Sequence, residues 1–184
     1  MERLRLVLRA QFATELTGAI AAHDPALVAG LVCPPPAEDA IYISRTVDPA
    51  EAVRNHGVAI TMAPASARRI VQAYSCGPTE QRVHTTQEVD VALVFEAAMQ
   101  EDIEVAGVPI EQDELMHLRA ELYAAALINC VHKYACDADT IHNVELLDDY
   151  PPETFDDKRG VWGSCLITLR ITQIVTIPQR RALP

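Results

Sequence analysis

Cys130, His132, Cys136 and His142 form the grouping with the greatest chemical potential in the 184-residue chain, because thiolates and imidazoles are zinc ligands. Structural zinc sites usually bring ligands in on tight knuckles such as C-x-x-C, and this spacing has none. Residues 130 and 132 fall on one predicted helix, where a two-residue step turns them about 200° apart. Core thiols and surface histidines are therefore expected, with no metal and no cofactor. A nucleophilic Cys–His pair needs a thiol beside a base or at a helix N-terminus, where its pKa falls. None of the cysteines at 33, 76, 130, 136 and 165 has that placement in the sequence pattern. Cys165 reads as a small buried residue in an alternating strand, and Cys76, in a Gly-Pro turn, as the most exposed thiol. Five is an odd count without the spacing of a small secreted domain, which indicates reduced thiols in a cytosol.

Carboxylates gather at Glu101, Asp102 and Glu104, at Glu111, Asp113 and Glu114, at Asp148 and Asp149, and at Asp156 and Asp157. A hard cation needs several oxygens converging on one point, and the calcium-loop pattern is absent, so solvated surface is the expected role. The phosphate-binding, nucleophile-elbow and zinc-protease signatures are absent as well, and no catalytic residue is assigned. With 15 Lys and Arg against 26 Asp and Glu, the net charge is −11 and the pI about 4.9. Binding to a nucleic-acid backbone draws on pooled cations, and here they are scattered. Trp162, the one tryptophan, stands where the last strand begins. It either seals the edge of the core or anchors an interface, and the first role is favoured.

The elements that must position these residues follow from periodicity. Residues 3–22 carry Leu4, Leu8, Phe12, Leu16 and Ile20 at a four-residue step, an amphipathic helix that should stop before Pro25. Cys33 and the three prolines after it make a stiff extended connector. Short strands are predicted at 41–43, 58–62 and 69–75, with a helical turn after Pro49. Val83, Val89, Val91, Leu93 and Phe95 alternate with polar residues, a strand with one buried face. Residues 99–111 read as a long exposed acidic loop or arm. A second helix is predicted over 113–134, apolar nearly all round from Leu122 to Ile128, so that a second layer or a neighbouring subunit must cover it. A short strand at 141–147, a polar loop at 148–160 and a long strand at 161–177 complete the chain. At 49% hydrophobic residues the chain has material for one well-buried core. No apolar run is long enough for a membrane helix, and the N-terminus lacks the pattern of a signal peptide. The expected fold is a single α+β domain over 1–184, a mainly antiparallel β-sheet with helices packed on one face.

This order of elements resembles the tail terminator and tail completion proteins of long-tailed bacteriophages. The likeness spans nearly the whole chain: the N-terminal helix, the strand with Val89, Val91, Leu93 and Phe95, the acidic loop, the second helix and the last long strand. The triple-proline connector and the length of the acidic loop depart from the shorter members. The resemblance implies a structural virion protein, made in the host cytoplasm. It would assemble as a ring, commonly a hexamer, at the head-proximal end of the tail tube, where it ends tube growth and joins the tail to the head. The implied partners are other copies of the chain, the tail tube protein and a neck or connector protein. DNA would pass through the lumen without specific binding, and no membrane is involved. Candidate assembly contacts are Glu101, Asp102, Ile103, Glu104, Val105 and Val108 in the acidic arm, together with Trp162; the all-round apolar helix is a candidate for burial between subunits. The alternatives are a neck or head completion protein and, farther away, a small cytosolic thiol or metal enzyme.

Overall fold

The four-residue step of Leu4, Leu8, Phe12, Leu16 and Ile20 puts them on one stripe of α1 (Glu2–Ala22), and all five are buried. The helix closes with the His23 N–H shared between the carbonyls of Ala19 and Ile20. The computed structural model describes residues 2–23, 31–43, 49–65, 69–75, 80–96, 104–105, 107–137, 141–157 and 160–178. After α1 the connector passes Leu31 to Ala37 without regular structure and enters a 3-10 turn (Glu38–Ala40). There follow β1 (Ile41–Tyr42), α2 (Pro49–His56), β2 (Val58–Pro64), β3 (Arg69–Ser75) and β4 (Glu80–Glu96). Gly57 supplies the left-handed residue, φ +75°, that lets the chain leave α2 and turn directly into β2. The second half holds β5 (Glu104–Val105), β6 (Val108–Pro109), α3 (Gln112–Asp137), β7 (Ile141–Asp157) and β8 (Gly160–Pro178).

Six strands form one sheet in the order β1-β2-β4-β8-β7, with β3 also on β4. Among the described residues only β1 and β2 are parallel; every other pair is antiparallel. The sheet is thus mainly antiparallel, and with the packed helices the fold is α+β, as expected. β2 and β3 share one edge of β4, the first opposite residues 89–95 and the second opposite 81–86. The β4–β8 ladder is continuous from Glu80 opposite Pro178 to Glu96 opposite Trp162. Strands of 17 and 19 residues reach roughly 58 and 65 Å, whereas the 21 and 26 residues of α1 and α3 reach roughly 32 and 39 Å. The ladder therefore outruns the helices that cover it.

One face of the sheet carries the main core. Val89, Val91, Leu93 and Phe95 of β4 and Cys165, Ile167, Leu169 and Ile171 of β8 lie under α1 and α3, the period of two realised. Thr85 and Gln87 continue that buried face of β4 with polar side chains. The all-round apolar part of α3 is covered within the chain, by α1 on one side and β7 and β8 on the other. Burial between subunits is not what its composition reports. The opposite face holds a second, smaller core of Ala40, Ala52, Val53, Ala59, Val94 and Trp162, which α2 covers.

One expectation needs correction. Residues 148–157, read as a polar loop, continue β7 to Asp157, with register shifts between Leu146 and Asp148 and between Tyr150 and Glu153. Pro151 and Pro152 fall in the second shift. A proline cannot donate to a ladder, but β7 is an edge strand and the bulge removes the need. Within 99–111 the described residues are mostly exposed, and β5 and β6 pair antiparallel there beside Gly107, φ +80°. Among the described residues, no helix is long and apolar enough to cross a membrane.

Candidate functional site

The predicted assembly contacts separate in the structure. Glu101, Asp102 and Ile103 lie outside the described residues. Glu104 and Val108 are exposed on the β5–β6 hairpin, Val108 at 64%, and Val105 pairs with Val108 across it. Trp162 is 5% exposed, packed with Val53, Ala59 and Val94 in the second core. It seals that core, so it is not a free interface anchor, and its helix partner α2 is the reason.

Of the thiol and imidazole grouping, the two described members, Cys130 and His132, point apart. Cys130 is buried, and its Sγ donates toward the Gln11 carbonyl at 3.7 Å, while His132 is exposed on the far side of α3. The side chains of Cys136 and His142, and Cys76 entirely, lie outside the described residues. No three His, Cys, Asp or Glu side chains among the described residues are placed to hold a metal. Burial, with Glu15 nearby, pushes the Cys130 thiol up to about 12, and Lys133 opposes only part of this. The folded chain thus keeps the proton above the thiol's ordinary 9.0. Its stabilising effect is complete below the ordinary value and is lost as pH rises toward 12, because the unfolded chain ionises first. In Cys130→Ser the fall in urea midpoint between about pH 8 and about pH 10.5 should be shallower by up to one proton's worth of slope. An unchanged slope would mean that the thiol titrates alike in both states.

The acidic residues divide by location. Asp113 and Glu114 sit in the first turn of α3, where the helix dipole favours negative charge. Glu111, Asp148 and Glu153 are exposed. In the middle of the sheet's outer face, Arg170 pairs with Glu88 on β4 at 2.9 Å and with Glu145 on β7 at 3.2 Å. The Glu88 hydrogen bond, more than any other influence, raises the Arg170 pKa further. Thr168 donates to Asp90 at 2.9 Å. These cross-strand pairs tie three strands together on the side away from the main core.

A further polar cluster leaves almost no mark in the residue pattern. Arg119 and Tyr123 stand one turn apart on the same face of α3, both buried, and both reach the connector. The Arg119 Nη2 donates to the Val32 carbonyl at 2.6 Å, and the Tyr123 hydroxyl to the Pro34 carbonyl at 2.7 Å. The Tyr123 ring packs on Phe95 with centroids 5.2 Å apart. Burial, then the neighbouring Cys33, drives the phenol pKa far above its ordinary value, with Arg119 opposing. The hydroxyl is a permanent donor. A four-residue spacing in a largely apolar helix is the one sequence signal for this pair.

The chain matches no protein-family model and no curated protein.

Proposed function

We propose that this chain is an architectural subunit that joins copies of itself into a ring at the head-proximal end of a bacteriophage tail tube, ending tube growth and connecting tail to head. The observation that supports this reading most is a division of charge along the β4–β8 ladder. At its Glu96 end stand Glu96, Glu111, Asp113, Glu114 and Glu153, all exposed. Glu153 is opposite Ser164, and Met116, one turn into α3, lies against Gly163, which brings the helix start to that end. Arg54 on α2, the helix that covers Trp162, is a cation on that side, and Lys158 and Arg159, between β7 and β8, adjoin that end in the sequence, outside the described residues. On the strands of the other end the charged positions are Glu80 and Arg82, while Arg69, opposite Thr86, lies near the middle of the ladder. Arg180 and Arg181 adjoin β8 at that end in the sequence, outside the described residues.

A body that is acidic at one end and, on its described strands, balanced at the other is suited to head-to-tail contact, and a heterologous contact closes into a ring when its rotation allows. A net charge of −11 would keep a duplex sliding through such a ring from adhering to its wall. Native mass measurement of the full chain tests the reading. A closed multiple of 20.2 kDa that falls apart with salt is expected; a single-copy mass at high concentration overturns it. In particles lacking the chain, overlong tails support a terminator, whereas leaking or tailless heads would make it a neck component. Removing residues 104–109 should leave the monomer folded, since the hairpin is a separate sheet, and should abolish ring stacking or tail joining. Intact joining after the deletion rejects the hairpin as a contact.

A further inference from the structure

Arg119 is 3% exposed, and its Nε has no hydrogen-bond partner. No carboxylate pairs with it among the described residues. A buried guanidinium whose strongest acceptor is a neutral carbonyl is a costly arrangement, since a removed hydration shell is normally replaced by an anion. The carbonyl in question belongs to the connector, 31–37, which has no regular secondary structure. The connector's outer side includes Val32, 55% exposed, whereas the half-buried Cys33 packs inward against the main core, next to Tyr123. The neighbouring donor on α3, the Tyr123 hydroxyl, is likewise occupied by a connector carbonyl.

We infer that the connector is a displaceable strap over a latent oxyanion site, in which Arg119 and Tyr123 would grip a carboxylate or phosphate in place of the Val32 and Pro34 carbonyls. Two donors one turn apart on a single helix face suit the two oxygens of such a group, and a guanidinium binds oxyanions in a planar fork. The trade is favourable because a neutral acceptor gives way to a charged one at a buried cation. Nε, which has no partner while the strap is closed, is the nitrogen left for the second oxygen of such a group. The strap's position is then set by anion concentration, a population shift between closed and open forms. The inference is independent of the ring, since it concerns one copy.

The test uses the full chain and follows alkylation of Cys33 by peptide mass mapping, which separates it from the other thiols. Inorganic phosphate and succinate are titrated in separate arms, each against sodium chloride at equal ionic strength. Saturable acceleration of Cys33 labelling, at least threefold, is expected, together with a higher thermal midpoint from binding to the folded chain. Response to phosphate alone or to succinate alone identifies the preferred oxyanion. Arg119→Lys keeps the charge without the fork and should weaken the midpoint response at least fivefold; Tyr123→Phe should weaken it less. Labelling and midpoint that follow ionic strength alone, in both arms, overturn the site. An oxyanion response undiminished in Arg119→Lys overturns the assignment to this guanidinium. The wild-type arms decide the question even if a variant fails to fold.

Discussion

Replacing Gly163 with alanine should lower the stability of the fold by about 1–3 kcal/mol, and valine should cost more. An added Cβ would stand 2.4 Å from Cζ and 2.7 Å from Cε2 of Phe95, and 2.9 Å from Cε of Met116. Gly163 is directly opposite Phe95 in the β4–β8 ladder, so the ring lies across the bare backbone, an aromatic covering a strand glycine. The methionine tip can swing away at little cost, but the ring cannot, because its other side packs on Tyr123. Urea unfolding measures the loss. Phe95→Leu made in the same chain should recover part of it, because the obstacle is then smaller, and the double-mutant cycle isolates that contact. A midpoint unchanged in Gly163→Ala would mean that the ring relaxes freely and that the site is not tightly packed.

The elements with a strong period are legible in the residue pattern alone. Alternation in β4 and β8 identifies the buried faces, and the stripe of α1 identifies all five of its core residues. Such signals are local, and local signals survive tertiary packing when burial is one-sided. What escapes the pattern is set by partners distant in the chain. Residues 148–157 carry acids and two prolines, the composition of a loop, yet β8 offers a continuous template and an edge position tolerates missing donors. The covering of α3 is ambiguous in the sequence because an apolar helix announces only that something must lie on each side. Here α1 and the sheet both come from the same chain. Trp162 shows the limit for sites. Its residue type fits an anchor, but whether an aromatic is free depends on α2, eight residues that reach it only through the fold. Arg119 is the opposite case, a charged side chain whose type suits solvent and which the fold buries.

The largest single-residue loss is expected at Tyr123, the largest of the fully buried side chains among the described residues. Tyr123→Ala should cost about 3–5 kcal/mol, the range for removing a buried aromatic and leaving a cavity that closes incompletely. Its neighbours explain why collapse would be partial: Phe95 is held in register opposite Gly163, and α3 is pinned to α1 through Gln11, whose side-chain amide donates to the Cys130 carbonyl at 3.5 Å. Tyr123→Phe keeps the ring and removes only the hydroxyl. Because Pro34 is exposed, its freed carbonyl can turn to water, so this change should cost about 1 kcal/mol, the low end for a lost hydrogen bond. The two variants therefore separate packing from strap anchoring. Both should speed Cys33 alkylation in the absence of oxyanion, because both release the connector at Pro34, while only the alanine variant should shift the urea midpoint strongly. Equal losses of stability in the two would assign the energy of this residue to its hydroxyl and leave the ring a minor contributor.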